Sequence, residues 1–221
     1  MDSKYTPLTP DLYAYLCGHA SRAGNATLDK LRAETEALGE ISRMLIGREQ
    51  GNFMTLLVAA LGVESALEVG TFTGYSSTCI ALGLPADGRL LCLDASAEWT
   101  AIARRYWKEA GVEEKIELRV GDGARLLRQL EPDAQFDFAF IDADKPNYDT
   151  YYELALPHVK ENGLILFDNM LYGGRVAAPP ADQENPNAIH ALNEKLARDP
   201  RVESVLLSVG DGINLCRKKR A

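Results

Sequence analysis

No two of the four cysteines, Cys17, Cys79, Cys92 and Cys216, form a C-x-x-C pair. That argues against a zinc site and suits free thiols in a reducing compartment. The first ten residues are polar and proline-containing, with no apolar signal core, and the longest apolar stretch, 53–63, is far too short to span a bilayer. A cytoplasmic protein with no membrane partner is expected. Bases are in deficit: 24 Lys and Arg against 32 Asp and Glu leave a net charge of −8. A phosphate backbone calls for a basic face, so no nucleic-acid partner is expected. Repeats, low-complexity tracts and Gly/Ser linkers are also missing. What remains is an ordinary globular composition, 46% apolar and 25% charged. A chain of 221 residues can bury about 70% of its unfolded surface, so it needs no disulfide or metal to fold.

The pattern along the chain has two parts. The first sixty residues read as helical. Leu28, Leu31, Leu38, Ile41 and Leu45 recur at helical spacing, and 50–61 is a further helical stretch. From Ser65 onward, short apolar runs alternate with helical ones. Strands are expected at 66–70, 89–94, 115–120, 136–141 and 164–167, with helices at 76–84, 97–110 and 147–159. That alternation means βαβ units and a parallel sheet. Runs 202–209 and 213–216 are separated only by Gly210-Asp211-Gly212, which cannot hold a crossover helix, so these two strands run antiparallel. The expectation is a single α/β domain, with 1–62 as a helical cap and 63–221 as the core. Its seven-stranded mixed sheet has the last strand antiparallel and helices on both faces. That arrangement resembles the Rossmann-like class I methyltransferase fold.

In doubly wound sheets the ligand sits outside the carboxyl ends of the strands. The first strand ends Glu68-Val69-Gly70-Thr71-Phe72-Thr73-Gly74-Tyr75-Ser76. Its glycines allow a tight turn and a close backbone approach. The G-x-G-x-x-G fingerprint fails here, and the Gly-Lys-Ser/Thr of a P-loop is missing. Asp94 ends the second strand, where an acid accepts from ribose hydroxyls or caps the next helix. Gly121-Asp122-Gly123 ends the third; Asp122 suits an adenine amino group, a helix N-cap, or both. Together these loops describe a nucleoside pocket without a pyrophosphate cradle. S-adenosylmethionine has that shape, and Glu68 suits its methionine end.

The fourth strand runs into Asp142-Ala143-Asp144-Lys145 and the fifth into Asp168-Asn169. As neighbours, these strands would bring Asp142, Asp168 and Asn169 to one edge. Three hard oxygen donors suit Mg²⁺, with Mn²⁺ or Ca²⁺ possible, and no His or Cys points to zinc. Capping of the following helices is the competing reading. Beside a divalent cation the ammonium form of Lys145 is disfavoured, which suits it to remove a phenolic proton.

The sequence resembles the cation-dependent O-methyltransferases of the caffeoyl-CoA and catechol type. The matching residues are the glycine segment 68–76, Phe140-Ile141-Asp142-Ala143-Asp144-Lys145-Pro146-Asn147-Tyr148, Asp168-Asn169-Met170-Leu171-Tyr172-Gly173-Gly174 and Val209-Gly210-Asp211-Gly212. The resemblance implies cofactor contacts at Glu68, Gly70, Thr71, Ser76, Asp94, Asp122, Gly123, Asp142 and Asp144. It implies metal ligands at Asp142, Asp168 and Asn169, catalysis by Lys145 with Asp142, and acceptor contacts at Met44 and Tyr172. It also favours a homodimer. Departures fall on the acceptor side: Asn52-Phe53-Met54 replaces Gln-Phe-Leu, Tyr172 stands where Trp is frequent, and the insertion after it is short.

The activity so implied is methyl transfer from S-adenosylmethionine to one hydroxyl of a small vicinal aromatic diol. The metal would chelate the diol, Lys145 would deprotonate it, and the oxyanion would attack the methyl in line. The alternatives are a nicotinamide dehydrogenase on a similar sheet and a non-catalytic nucleoside-binding module. The basic run 217–220 reads as a solvated tail.

Overall fold

The structure, a computed structural model, describes residues 4, 6–20 and 26–220. Residues 1–3, 5, 21–25 and 221, within the expected cap and core, lie outside the described residues. The helices are α1 (Pro10–His19), α2 (Ala26–Glu36), α3 (Arg48–Ala60), α4 (Tyr75–Gly83), α5 (Ala97–Glu109), α6 (Gly123–Arg128), α7 (Tyr148–Ala155) and α8 (Glu184–Leu196). The strands are β1 (Ser65–Val69), β2 (Arg89–Asp94), β3 (Ile116–Val120), β4 (Phe136–Ile141), β5 (Val159–Phe167), β6 (Val202–Leu207) and β7 (Ile213–Lys218). They form one sheet in the order β3-β2-β1-β4-β5-β7-β6. β1 to β5 are parallel, and β7 runs antiparallel to both β5 and β6.

Strand side chains alternate between two apolar layers, as a pleated sheet buried on both faces requires. Leu67, Val69, Ala139, Ile141, Ile165 and Phe167 meet α6, α7 and α8. Ala66, Cys92, Phe138, Phe140 and Leu166 meet α2, α3, α4 and α5. The N-terminal helices thus belong to the core: Leu31, Met54 and Val58 are fully buried. By contrast, α1 buries no residue and touches the body through Tyr13, whose hydroxyl donates to Glu49 Oε2 at 2.6 Å.

Several boundaries differ from the sequence pattern. The helical run through Leu45 breaks at Gly39, whose φ is +77°, and a 3₁₀ segment (Gly39–Met44) follows. The 147–159 helix stops at Ala155, because Pro157 cannot continue it and starts a 3₁₀ turn. β5 begins at Val159 rather than 164, with a bulge between its pairings to Phe136 and Phe138. α8 was not apparent in the sequence: Pro186 interrupts its pattern, although proline is tolerated in a first helical turn. The basic run is no solvated tail. Arg217 and Lys218 belong to β7; Arg217 pairs with Glu203 at 2.6 Å, and Lys218 Nζ donates to the carbonyls of Leu156 and Val159.

Candidate active site

The carboxyl ends of β1 to β5 open on one cavity of about 1280 Å³. Every residue expected at the site lines it except Glu68. The glycine loop owes its shape to two close approaches. Gly70 has φ +91°, and a Cβ there would lie 1.9 Å from the backbone oxygen of Asp142. At Gly74, also φ +91°, a Cβ would lie 2.6 Å from that of Ala103. L-residues strain in that region, so glycine is needed on both counts.

Asp94 has a task the sequence did not reveal. Its Oδ2 accepts from the backbone N–H of Thr71 at 2.7 Å and of Phe72 at 2.8 Å, and its Oδ1 accepts from Ser96 N–H at 2.7 Å. The carboxylate binds the glycine loop to the end of β2, while Ser96 caps α5. These three bonds fix the carboxylate at the cavity wall and leave about one of its roughly four acceptor positions open. Asp122 caps α6 through Arg125 N–H at 2.7 Å, as one of its two readings required. Asp144 accepts from Tyr151 OH and Asn147 Nδ2. Tyr151 packs against Gly123, where a Cβ would lie 3.2 Å from the ring.

Glu68 stands apart. Strand alternation turns it with Ala66 toward the α4 side, so it lies behind the loop rather than on the cavity wall. It is fully buried; the Cys92 thiol donates to Oε2 at 3.4 Å, and Oε1 has no partner among the described residues. Burial pushes its carboxyl up to about 7, against the opposing pull of Ser76, Thr71 and Cys92.

The second cluster assembles because β4 and β5 are parallel neighbours with flush ends: Ile141 pairs with Phe167, and Asp168 N–H donates to Ile141 O at 3.1 Å. Asp142 and Asp168 are therefore adjacent. Asp168 is 2% exposed. Burial first, then the charge of Asp142, pushes its carboxyl up to about 7, opposed by the Gln50 carboxamide, the Asn169 N–H and Lys145. Lys145 Nζ donates to Asp142 Oδ1 and to Tyr148 OH, each at 2.7 Å. Tyr148 OH in turn lies 3.2 Å from Asp168 O, to which it donates. Burial, then Asp142 and Asp168, holds this phenol well above its usual range, so it stays protonated.

The loop after β5 is pinned by the β6–β7 turn, through Met170 N–H to Gly212 O at 2.9 Å and Leu171 N–H to Asp211 O at 2.8 Å. Asn169 and Tyr172 have φ +56° and +45°, a region non-glycine residues seldom occupy. The Arg175 guanidinium lies 4.6 Å from the Tyr172 ring centroid, and Asn185 Nδ2 donates to its hydroxyl at 2.9 Å. Tyr148 and Gln50 escaped the sequence reading. Tyr148 had a signal, standing three residues after Lys145 at helical spacing; Gln50 had none.

No group of three His, Cys, Asp or Glu placed for a metal occurs among the described residues. The expected set is two carboxylates and one carboxamide oxygen. Its chemistry fits a hard divalent cation: all donors are oxygen, and the adjacent carboxylates of half-buried Asp142 and buried Asp168 have an excess of negative charge that a cation would offset.

A parallel sheet with one reversed strand inserted beside its edge, with a cavity at the carboxyl ends of its strands, is the class I methyltransferase arrangement. The family model described as O-methyltransferase matches residues 19–219. A Dictyostelium discoideum protein named "Probable caffeoyl-CoA O-methyltransferase 2" is 43% identical over 180 residues, covering 79% of this chain and 78% of the relative. Caffeoyl-CoA O-methyltransferase 1 of Eucalyptus globulus is 39% identical over 184 residues, covering 79% and 75%. The crystal structure of an O-methyltransferase from Bacillus cereus in complex with SAH superposes with a TM-score of 0.86 at 30% identity, covering 95% of this chain and 97% of that one. The chain belongs to the O-methyltransferase family and is a class I S-adenosylmethionine-dependent O-methyltransferase of the caffeoyl-CoA type.

Proposed function

We propose that this enzyme methylates one hydroxyl of a small vicinal aromatic diol, with S-adenosylmethionine as donor and a divalent cation at Asp142, Asp168 and Asn169. The observation that carries the reading is the Lys145–Asp142 pair beside Asp168, on the wall of the cavity that also holds the glycine loop. When bound, the cation supplies Lewis-acid stabilisation of a phenolate.

The chain's own residues do the rest. Tyr148 and Asp142 hold Lys145 Nζ in place, so its lone pair, once free, is directed by the fold rather than by chance rotamers. An ordinary phenol ionises near ~10, so a positioned base contributes at neutral pH. Tyr148 cannot share that role, because it keeps its proton. The glycine loop positions the donor, and the pinned loop carrying Tyr172 positions the acceptor ring. Holding oxygen, methyl and sulfur in line accounts for roughly 7–11 kcal/mol of barrier lowering in well-oriented systems.

The dehydrogenase alternative has no support, since its fingerprint is missing and the acid pair has no work there. The test is methyl transfer to a panel of vicinal diols after EDTA treatment, followed by readdition of Mg²⁺, Mn²⁺ or Ca²⁺. Product with a diol that is lost with EDTA and restored by a cation is expected. Product unaffected by EDTA would refute the metal assignment, and no product with any diol would refute the acceptor class.

A further inference from the structure

We infer that Gln50 is a positioning residue for the cation site, an inference that rests on the cation reading above: its carboxamide holds the Asp168 carboxylate in place and touches no ligand itself. Gln50 stands in the first turn of α3, outside the strand ends that supply the other site residues. Glutamine is mostly found exposed, yet this one is 1% exposed. Burying a long polar side chain costs rotamer freedom, and a donor left without an acceptor costs desolvation as well. A partner must offset both.

Two groups face the carboxamide. One is Gly210 of the β6–β7 turn, at φ +55°, where a Cβ would lie 2.4 Å from Gln50 Oε1. The other is Asp168, whose carboxyl the carboxamide pulls down against the effect of burial. Nε2 is buried and closes no full hydrogen bond among the described residues. Enclosed in this way, it is a donor for a protein group, and the anionic acceptor beside it is the Asp168 carboxylate. That carboxylate has room for the bond. Its Oδ1 accepts from Asn169 N–H at 2.7 Å, and a carboxylate offers roughly four acceptor positions. Carboxylates that bind metals are commonly oriented by such a donor behind them.

The mounting of Gln50 is firm. A Cβ on its neighbour Gly51 would lie 2.8 Å from Cys79 Sγ, so α3 sits on α4 with no room to spare. One turn further on, Thr55 Oγ1 donates to Cys79 O at 2.8 Å. The helix cannot slide, and the reach of Gln50 is set. On its other side stands the turn whose Asp211 and Gly212 carbonyls pin the loop after Asn169. The competing reading is therefore that Gln50 only packs against that turn, and would act on the site through Asn169.

The test reads Mn²⁺ binding by calorimetry, with S-adenosylhomocysteine present and without turnover. Gln50→Met keeps the length of the side chain and removes the N–H. It should weaken Mn²⁺ by about tenfold to a hundredfold, while S-adenosylhomocysteine affinity changes less than about twofold. Gln50→Asn keeps the amide but draws it back by one methylene; it should weaken Mn²⁺ as well, and it serves if the Met variant does not fold. Thermal unfolding in EDTA separates misfolding from lost binding. The effect of Gln50→Met should shrink to less than about twofold in an Asp168→Ala background and persist in an Asn169→Ala background. The reverse pattern would overturn the inference and reduce Gln50 to packing against the turn. Unchanged Mn²⁺ affinity in both Gln50 variants would overturn it as well. Failure of the wild-type protein to bind Mn²⁺ would overturn the cation reading, and the role of Gln50 with it.

Discussion

The two ends of the cavity are built differently. At the cofactor end, the backbone amides of Thr71, Phe72 and Ser96 converge on Asp94, and glycines occupy the two left-handed positions that crowd their neighbours. The amides of that loop are satisfied by Asp94, although the Thr71 hydroxyl has no partner among the described residues. At the acceptor end, two carboxylates lie side by side, one almost fully buried, and two non-glycine residues, Asn169 and Tyr172, sit in left-handed conformations. Each such residue costs on the order of 1 kcal/mol. The β6–β7 turn and the Lys145–Tyr148 contact hold that arrangement in place. The contrast is one of degree: the acceptor end has two such left-handed residues and two adjoining strand-end carboxylates, whereas the cofactor's cradle has one, Phe72 at φ +51°, and its buried acid, Glu68, lies behind the loop.

Substitutions can break this contrast or sharpen it. Asp168→Ala should have the largest effect, removing turnover by at least about a thousandfold. S-adenosylhomocysteine affinity, read by calorimetry, should stay within about threefold; a larger loss would mean that the two ends are not independent. Lys145→Met should lower kcat by about a hundredfold to ten-thousandfold. Steady-state rates should show a smaller loss with a nitro-substituted diol, whose hydroxyl is more acidic, and an equal loss with both diols would count against the base role.

Glu68→Gln probes the cost of a buried acid behind the cofactor end. With its folded value raised to about 7, Glu68 contributes stability that is whole below its unfolded value of about 4 and is lost as pH rises through about 7. Metal-free protein should therefore lose stability between about pH 5 and about pH 8, by up to ~3 kcal/mol from this group. Urea unfolding in EDTA should show Glu68→Gln removing that part of the slope and leaving the Asp168 part. An unchanged slope would place Glu68's cost elsewhere. Tyr148→Phe should give the smallest effect, a fall in kcat of roughly threefold to tenfold from loss of one hydrogen bond to Lys145. An unaltered kcat would show that Asp142 alone suffices to hold the amine.

Much of the sheet was legible because short apolar runs bounded by turn residues and alternating with helical stretches are local signals. The antiparallel end followed from three turn residues that leave no room for a crossover. The clustering of Asp142, Asp168, Asn169 and Lys145 was legible too, since flush parallel neighbours bring strand-end residues together. What escaped was set by distant parts of the chain. Asp94 anchors amides 22 and 23 positions earlier, a role that nothing local to a strand-end acid marks. Glu68 points away from the cavity because of its place in the pleat, one position from the turn. Gln50 comes from α3, outside the sheet motifs, where nothing local marks a residue that reaches the strand-end carboxylates.

The most direct measurement compares a vicinal diol with its single-hydroxyl counterpart as methyl acceptors, in EDTA and again after Mg²⁺ is restored. The account predicts product from the diol alone, and only with the cation present. Methylation of the single-hydroxyl compound at a similar rate, or of the diol in EDTA, would contradict it.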